Sequence, residues 1–372
     1  MKQYFLIPFV ICTLLPLAGV PASAQQKKKA ASKRKLPYKA KVPGVDPTVG
    51  DNVDGDDLTI RRAAVSALGT FAGSVVVVDP LNGRILSMVN QKLALQTGFV
   101  PCSTIKLVTA LAALTEGVVS KNTTVYTSRY ISYNLTQALA RSNNQYFNIL
   151  GTRLGFERVH HYAEMLGFGA KAGLDIEGEQ PGLLPLEAPK YGGVGMMTSF
   201  GTGISMTPLE LAALLGAISN GGTLYYLQYP HTQEESDQFT AKVKHPLVLA
   251  PTGIEDIKWG MRGAVDFGTA RRAGYDATEP ILGKTGTCTD FQTASHMGWF
   301  GSFNEVGAHR LVVVVMLTGG KNVSGPIASG VAGNIYRQLS AQHYFTADSA
   351  AAKRKSDLPE IITTMPCCGS GR

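Results

Sequence analysis

The sequence predicts an α+β fold in which an antiparallel sheet is flanked by helices. Two observations support this: β-branched and aliphatic runs occur near both ends of the globular part, and apolar residues at helical spacing fill the sequence between them. The composition agrees, because 44% of the 372 residues are hydrophobic and 17% are charged, which is enough apolar material for a sizeable core. Strands separated by a helical stretch are typical of α+β proteins.

Residues 1–24 are predicted to be an export signal. Lys2 precedes the apolar stretch YFLIPFVICTLLPLAGV, and the small residues 22–24 fit a cleavage site. The stretch is short and contains two prolines, which favours a cleaved signal over a permanent anchor, although the sequence leaves both open. We therefore expect the folded part to be exported to the periplasm or cell envelope, anchored in the inner membrane if the signal is retained.

Residues 25–57 are predicted to form a disordered linker that is first basic and then acidic. Residues 1–45 contain nine basic residues and no acidic ones, whereas the remaining chain has 26 basic and 27 acidic residues, so the net charge of +8 comes from the N-terminal segment. A basic linker can attract a membrane surface or an anionic wall polymer, and it can equally be a plain solvated tether. The export signal argues against nucleic acid as a partner.

The predicted globular domain, residues 58–345, begins with a helix and a hairpin. LTIRRAAVSALGTF has the composition of a helix, and GSVVVVDP and RILSMVN, separated by the turn LNG, predict two paired strands. The next segment, FVPCSTIKLVTALAAL at residues 99–114, has the apolar spacing of a mostly buried helix. Ser103 falls in its first turn, where a serine is also a good N-cap.

Helices and then strands complete the domain. Helical sequence over residues 134–155 is broken at SNN, and FERVHHYAEMLGFG and SMTPLELAALLGAISNGG follow; in the last, Thr207, Pro208 and Glu210 form a capping signature. ILGKTGTCT, HMGWFGSF and HRLVVVVMLTG predict adjacent strands that share one antiparallel sheet with the early hairpin, and VAGNIYRQLSAQ predicts a closing helix. Residues 346–372 are predicted to be a flexible tail.

Ser103 and Lys106 form the first candidate catalytic pair. Their spacing places both side chains on one face of a helix, one turn apart. A lysine kept neutral by burial and nearby positive charge can take the serine proton and make the hydroxyl a nucleophile. The spacing alone is weak evidence, because Ser32 and Lys35 repeat it in the basic linker and Ser103 could simply cap the helix.

Two further motifs carry polar groups suited to catalysis. Ser142 and Asn144 interrupt apolar helical sequence, which favours a polar kink in a cleft; the same pattern at Ser132 and Asn134 lacks that context. The run Lys284-Thr285-Gly286-Thr287 occurs once, inside a predicted strand. Its glycine lets an extended chain approach the strand edge, and its lysine and hydroxyls suit a carboxylate, whereas the alternative is an ordinary strand with a glycine bulge.

Ser-x-x-Lys, Ser-x-Asn and Lys-Thr-Gly in this order resemble the signature set of penicillin-binding proteins and serine β-lactamases. From about Gly73 to Gln342 the chain looks like the transpeptidase domain of a penicillin-binding protein, in segments such as QALARSNNQYF, SFGTGISMTPLELAALLGAISNGG and GKTGTCTDFQTASHMGWFGSF. The resemblance implies that family's sheet with its helical subdomain, here shortened between the first two motifs. The short sequence before residue 60 predicts a stand-alone module without a glycosyltransferase or pedestal domain.

The resemblance also implies a role for each motif residue. Ser103 would attack the D-Ala-D-Ala carbonyl of a peptidoglycan stem peptide, with Lys106 as general base. Ser142 would relay the proton to the leaving amine, and Asn144 would hold the lysine and the substrate amide. Residues Lys284, Thr285, Gly286 and Thr287 would bind the terminal carboxylate, which the carboxylate of β-lactam inhibitors mimics. The N–H groups of Ser103 and Thr287 would form an oxyanion hole.

Cys102 and Cys288 flank two of these motifs. In carbapenem-hydrolysing class A β-lactamases, which look similar here, cysteines at these two places are joined, so the resemblance implies a Cys102–Cys288 disulfide. Export permits such a bond, and two buried free thiols are the alternative. No metal or cofactor is expected, because the histidines show no ligand spacing beyond an adjacent pair at residues 160–161.

Three functions therefore stay open, in order of preference. The first is a DD-transpeptidase or DD-carboxypeptidase that penicillin acylates. The second is a serine β-lactamase, although none of Glu177, Glu179 and Glu187 sits in the class A pattern for activating water. The third is a non-catalytic β-lactam sensor or wall-binding module.

Overall fold

The computed structural model describes residues 46–346, apart from residues 97, 275, 277, 291–294 and 321–322. The predicted export signal, the basic part of the predicted linker and nearly all of the predicted tail lie outside the described residues. Among the described helices, none is long and apolar enough to cross a membrane.

A five-stranded antiparallel sheet forms the centre of the fold. Its strands are β1 (Gly73–Val78), β2 (Ile85–Val89), β7 (Ile281–Asp290), β8 (Ser295–Asn304) and β9 (Val312–Thr318). Their order in the sheet is β2-β1-β9-β8-β7. This confirms that the early hairpin and the three late strands share one sheet, because β1 pairs with both β2 and β9. β7 carries the KTGT run and lies at one edge.

The central part of the sheet is buried on both faces, which explains why β1 and β9 are nearly continuous apolar runs rather than alternating ones. Along β1, Val75 and Val77 pack into one apolar cluster with helices α1 and α11, and Val76 and Val78 pack into the other with α3 and α8. These four helices are α1 (Leu58–Leu68), α3 (Lys106–Thr115), α8 (Pro208–Ser219) and α11 (Gly325–Ala341). The predicted capping box of α8 is confirmed, because Thr207 and Glu210 cap each other's backbone.

The remaining elements lie between β2 and β7 in the chain. They are the helices α2 (Gln91–Ala94), α4 (Leu135–Ala140), α5 (Asn144–Leu154), α6 (Phe156–Met165), α7 (Gly193–Phe200), α9 (Gln233–Asp237) and α10 (Gly253–Asp266). Two short ribbons pair β3 (Val125–Tyr126) with β4 (Ser132–Tyr133), and β5 (Thr223–Tyr225) with β6 (Val243–Pro246). The predicted break at SNN is the turn between α4 and α5.

The acidic end of the predicted linker departs from expectation, because it packs on the domain. Asp51 and Asp56 lie 2.8 Å and 2.9 Å from the guanidinium of Arg61 in α1, and both carboxylates are nearly inaccessible to solvent. Asp56 also accepts a hydrogen bond from Ser87 in β2. The local sequence is rich in charge and therefore suggests a solvated chain. The positive charge that pairs with these two carboxylates, however, comes from Arg61 on the buried face of α1.

Candidate active site

Ser103 and Lys106 lie at the entrance to α3. A 3₁₀ turn, Cys102–Ile105, leads into the helix, and Lys106 is its first residue. The Lys106 Nζ lies 2.9 Å from Ser103 Oγ. Ser103 does not act as the helix N-cap, since Ile105 occupies that position without a side-chain capping bond. The serine hydroxyl therefore faces the lysine, as the Ser-x-x-Lys pattern predicts.

The predicted disulfide joins Cys102 to Cys288, with the two Cα atoms 5.6 Å apart. It ties the turn before Ser103 to strand β7. Cys102 has a φ of 53°, in the left-handed region where glycine is usual. A residue with a side chain is uncommon in this conformation, and here that residue forms the covalent bond to β7.

Ser142 is presented by the way in which α4 ends. The N–H of Ser142 bonds to the carbonyl of Leu139, and the N–H of Asn143 bonds to that of Ala138, which is a Schellman termination. Ser142 occupies the left-handed position of this motif, with a φ of 54°. Asn143 then caps α5. The other candidate, Ser132, lies in the β3–β4 ribbon.

Lys106 and Ser142 together connect the three motifs. Its Nζ lies 3.1 Å from the Ser142 Oγ, 2.9 Å from the Ser142 carbonyl oxygen and 2.5 Å from Asn144 Oδ1. The Lys284 Nζ lies 2.8 Å from the same Ser142 Oγ. Five predicted site residues thus meet through two amines, two hydroxyls and one amide oxygen, although the first, Ser103, and the last, Lys284, are 181 positions apart in the chain.

Both lysines are fully inaccessible to solvent, and this changes their chemistry. Burial, and then repulsion from Lys284, lowers the pKa of Lys106 to about 6. Burial also lowers the pKa of Lys284 to about 7. Because no carboxylate is among the hydrogen-bond partners of either amine in the described part of the chain, Lys106 can be neutral near neutral pH.

The KTGT run lies in the edge strand of the sheet, and only Thr287 of its four residues is exposed. Thr287 is exposed, and its Oγ1 accepts a hydrogen bond of 2.8 Å from the N–H of Gly325 at the start of α11. Thr285 is only 3% exposed, and its Oγ1 lies 2.6 Å from Thr269 Oγ1. Any carboxylate bound by Thr285 therefore meets a hydroxyl that is already paired.

The structure shows a close contact at Gly286 that the sequence did not predict. A Cβ atom at this position would come within 3.0 Å of the Pro101 carbonyl oxygen and within 3.3 Å of Cys102 Cβ. The glycine thus lets the turn that carries Ser103 approach β7 closely, rather than serving only an incoming chain. This close approach is what brings the Ser-x-x-Lys and Lys-Thr-Gly motifs together.

Three further residues support the site and were not singled out from the sequence. The Phe147 ring lies 5.7 Å from Lys106 Nζ, and its position one helical turn after Asn144 was a signal for it. The Trp299 indole donates a hydrogen bond of 3.0 Å to the carbonyl of Val100 and so fixes the segment before Cys102. Thr269 carries no sequence signal, because it lies in an irregular segment after α10.

The loop between α6 and α7 holds the glutamates that bear on a β-lactamase function. Glu179 is 1% exposed, and its carboxylate accepts hydrogen bonds from the N–H groups of Ala172 and Gly173. Burial raises the pKa of Glu179 despite these bonds. Glu179 therefore stabilises the backbone of the loop, and Glu177 and Glu187 are exposed on its surface.

Curated bacterial relatives are similar in sequence to this protein over most of the chain. Stage V sporulation protein D of Bacillus subtilis is 29% identical over 315 residues, which cover 70% of this chain and 48% of the relative. Peptidoglycan D,D-transpeptidase MrdA of Haemophilus influenzae is 24% identical over 357 residues, which cover 74% of this chain and 54% of the relative. The chain thus spans about half the length of these relatives.

Solved structures share the fold. The PBP2 of Pseudomonas aeruginosa in complex with WCK 5153 matches with a TM-score of 0.68 and 24% identity, over 80% of this chain and 78% of that one. The transpeptidase domain of Burkholderia pseudomallei penicillin-binding protein 3 matches with a TM-score of 0.67 and 22% identity, over 79% of this chain and 98% of that one. Residues 73–340 match the sequence model of the protein family described as the penicillin binding protein transpeptidase domain. Because this match covers most of the chain and the fold agrees with the solved structures, the chain belongs to the penicillin-binding protein transpeptidase family.

Proposed function

We propose that this protein is a serine DD-transpeptidase or DD-carboxypeptidase that acts on the D-Ala-D-Ala end of peptidoglycan stem peptides. The observation that carries the proposal is the 2.9 Å approach of the Lys106 amine to the Ser103 hydroxyl at a buried position. The relatives named as peptidoglycan D,D-transpeptidases support the reaction type.

In the proposed acylation, the neutral Lys106 amine takes the proton of the Ser103 hydroxyl as the oxygen attacks the carbonyl of the penultimate D-Ala. The oxygen–carbon bond forms, and the carbonyl oxygen becomes an oxyanion. The N–H groups of Ser103 and Thr287 bind this oxyanion; the first N–H groups of a helical turn lack partners within the helix, and β7 lies at the sheet edge.

The tetrahedral intermediate then collapses, and the carbon–nitrogen bond to the terminal D-Ala breaks. Ser142, which contacts both amines, passes the proton held by Lys106 to the leaving nitrogen, and free D-Ala departs. An acyl ester on Ser103 remains. The amine of a second stem peptide resolves this ester in transpeptidation, and water resolves it in carboxypeptidation.

The terminal carboxylate of the substrate is held by the KTGT run. Thr287 has an exposed hydroxyl whose proton is free to donate, because its oxygen accepts the N–H of Gly325. Lys284, whose amine lies 2.8 Å from Ser142 Oγ, provides positive charge, and the hydroxyls of Thr285 and Thr269 are paired with each other. The carboxylate of a penicillin would occupy the same position, which explains why β-lactams would acylate Ser103.

Two rival functions use the same nucleophile. A β-lactamase would need fast hydrolysis of the acyl-enzyme, and the most buried loop glutamate, Glu179, is committed to backbone N–H groups. A sensor or wall-binding module would acylate without turnover on peptides. The assay below separates all three.

The test is covalent labelling of the purified protein with a fluorescent penicillin, followed by a chase with unlabelled drug. We expect a label that persists for many minutes, is lost in Ser103→Ala and is strongly reduced in Ser142→Ala. Ser132→Ala is the matched control, because this serine has the same Ser-x-Asn pattern but lies outside the site, and it should label normally.

The chase and a peptide assay assign the function. Label that clears within seconds while drug is consumed catalytically would indicate a β-lactamase. Persistent label without release of D-Ala from a stem pentapeptide would indicate a sensor. Absence of any Ser103-dependent label would refute the enzyme proposal.

We also propose that the protein works in the cell envelope. The Cys102–Cys288 disulfide supports this, because such bonds persist in oxidising compartments. The basic segment before residue 46 would then hold the domain near a membrane surface or an anionic wall polymer. Fractionation of cells, with and without a high-salt wash, tests both statements.

A further inference from the structure

A cleft of about 990 Å³ opens beside the last part of the KTGT strand. Thr287, Cys288 and Thr289 of β7 form one side of it, and the disulfide therefore borders it. The other sides come from the segment before the 3₁₀ turn, from the loop before α7 and from α7 and the turn after it. Their apolar members are Phe99, Val100, Leu183, Met196, Phe200 and Ile204.

The cleft is largely apolar, and its polar side chains are the hydroxyls of Thr202, Ser205, Thr287 and Thr289. None of the described residues that line it carries a charged side chain. Behind its wall, the carboxyl group of Glu210 accepts a hydrogen bond of 3.2 Å from the N–H of Gly182, which lines the cleft. A second ionisable group contacts the wall, because the Nδ1 of His296 lies 3.1 Å from the Oγ1 of Thr289. Neither Glu210 nor His296 is among the described residues that line the cleft, so no charged side chain there offers an ion pair to an incoming anion.

The position of the cleft indicates which part of a substrate would enter it, and this step rests on the proposed function. The leaving D-Ala lies towards Ser142 and Lys284, and the scissile carbonyl lies at the N–H of Thr287. The acyl part that stays on Ser103 must then extend in the opposite direction along β7, past Cys288 to Thr289. An extended peptide beside a sheet edge places alternate side chains into flanking pockets.

We infer that the acyl donor presents an uncharged, largely aliphatic side chain to this cleft, and that a donor with a free carboxylate there is disfavoured. A stem peptide whose residue before D-Ala-D-Ala is neutral or amidated on its side chain fits this description. The physical reason is that a carboxylate moved from water into an apolar cleft without a basic partner loses its hydration and gains no ion pair.

Two penicillins provide matched probes, because benzylpenicillin and carbenicillin differ only by a carboxylate on the acyl side chain. The quantity to measure is the second-order rate constant of Ser103 acylation for each drug, by competition with the fluorescent penicillin. We expect carbenicillin to react at least about tenfold more slowly, which corresponds to about 1.4 kcal/mol.

Leu183→Arg tests whether the cleft itself discriminates. Leu183 lines the cleft and is 59% exposed, so an arginine can be accommodated at its rim. The added cation should narrow the ratio of the two rate constants about two- to fivefold, as expected for a partly exposed ion pair. Leu186→Arg is the matched control, because Leu186 is 90% exposed in the same loop and does not line the cleft.

The outcomes separate this inference from the proposed function. A slower reaction of carbenicillin that Leu183→Arg alone relieves supports the inference. Equal rate constants for the two drugs, or equal effects of both arginine variants, overturn it while Ser103-dependent labelling leaves the proposed function standing. Absence of labelling by either drug overturns the proposed function and the inference with it.

Discussion

The rate at which a penicillin acylates Ser103 should depend on pH through the state of Lys106. Only the neutral amine can accept the serine proton, and burial together with Lys284 lowers the pKa of Lys106 to about 6. A lysine with a lowered pKa is protonated below that value and neutral above it. We therefore expect acylation to rise from pH 5 to pH 7 and not to rise further at higher pH.

The size of the effect follows from this pKa. With a value of about 6, about one tenth of the Lys106 amines are neutral at pH 5 and about nine tenths at pH 7. The rate constant should thus increase by about tenfold over this interval. Above pH 7 Lys284, with a pKa of about 7, loses its charge and attracts the drug carboxylate less, so the rate should fall. Because both amines share Ser142, the two apparent values belong to the pair.

The assay is the second-order rate constant of labelling by a fluorescent penicillin, measured at constant ionic strength between about pH 5 and pH 9. Ser103→Ala gives the non-enzymatic background, and circular dichroism at each pH verifies that the protein stays folded. A rate constant that keeps rising about tenfold per pH unit up to pH 9 would mean that the general base has an ordinary lysine pKa. That result would refute the reasoning from burial.

Three other changes have defined expectations. Cys288→Ser removes a disulfide that closes a loop of 186 residues, so Tm should fall by about 8 °C. Reduction of the wild-type protein should lower Tm by the same amount. An unchanged Tm in both experiments would show that the bond does not form. Asn144→Ala removes an exposed side chain that contacts Lys106, so acylation should slow about 10–100-fold at unchanged Tm, and a full rate would exclude Asn144 from the site. Arg61→Met removes the cation that pairs with the buried carboxylates of Asp51 and Asp56, so the free energy of unfolding should fall by about 3–5 kcal/mol. A decrease below about 1 kcal/mol, measured by thermal unfolding, would contradict the burial of these carboxylates.

Local sequence was sufficient for most secondary structure, because periodicity and capping are short-range signals. The hairpin of β1 and β2 followed from two apolar runs around a turn, and α8 followed from its capping box. The order of the strands in the sheet was less accessible. That β1 lies between β2 and β9 depends on contacts across more than 200 residues, for which the sequence carries only the matching apolar runs.

The acidic residues before α1 show where local signals fail. Asp51 and Asp56 read as the end of a solvated linker because charge and glycine dominate that stretch. Their packing depends on Arg61, a charged residue that the helix turns towards the core. A helix pattern does not reveal such a buried charge unless its partners are already known.

For the site too, some features followed from the sequence and others only from the tertiary structure. By itself the sequence determined which residue types are available: a serine and a lysine one helical turn apart, a serine at a helix break, and a lysine and threonines on a strand. Its context also favoured Ser142 over Ser132. Only the tertiary structure decided that Ser142 lies within 3.1 Å of Lys106, and that Gly286 serves the approach of Cys102. Proton transfer needs atoms within hydrogen-bond distance and a lysine held away from water. Both conditions arise from packing between distant segments, which no local pattern contains.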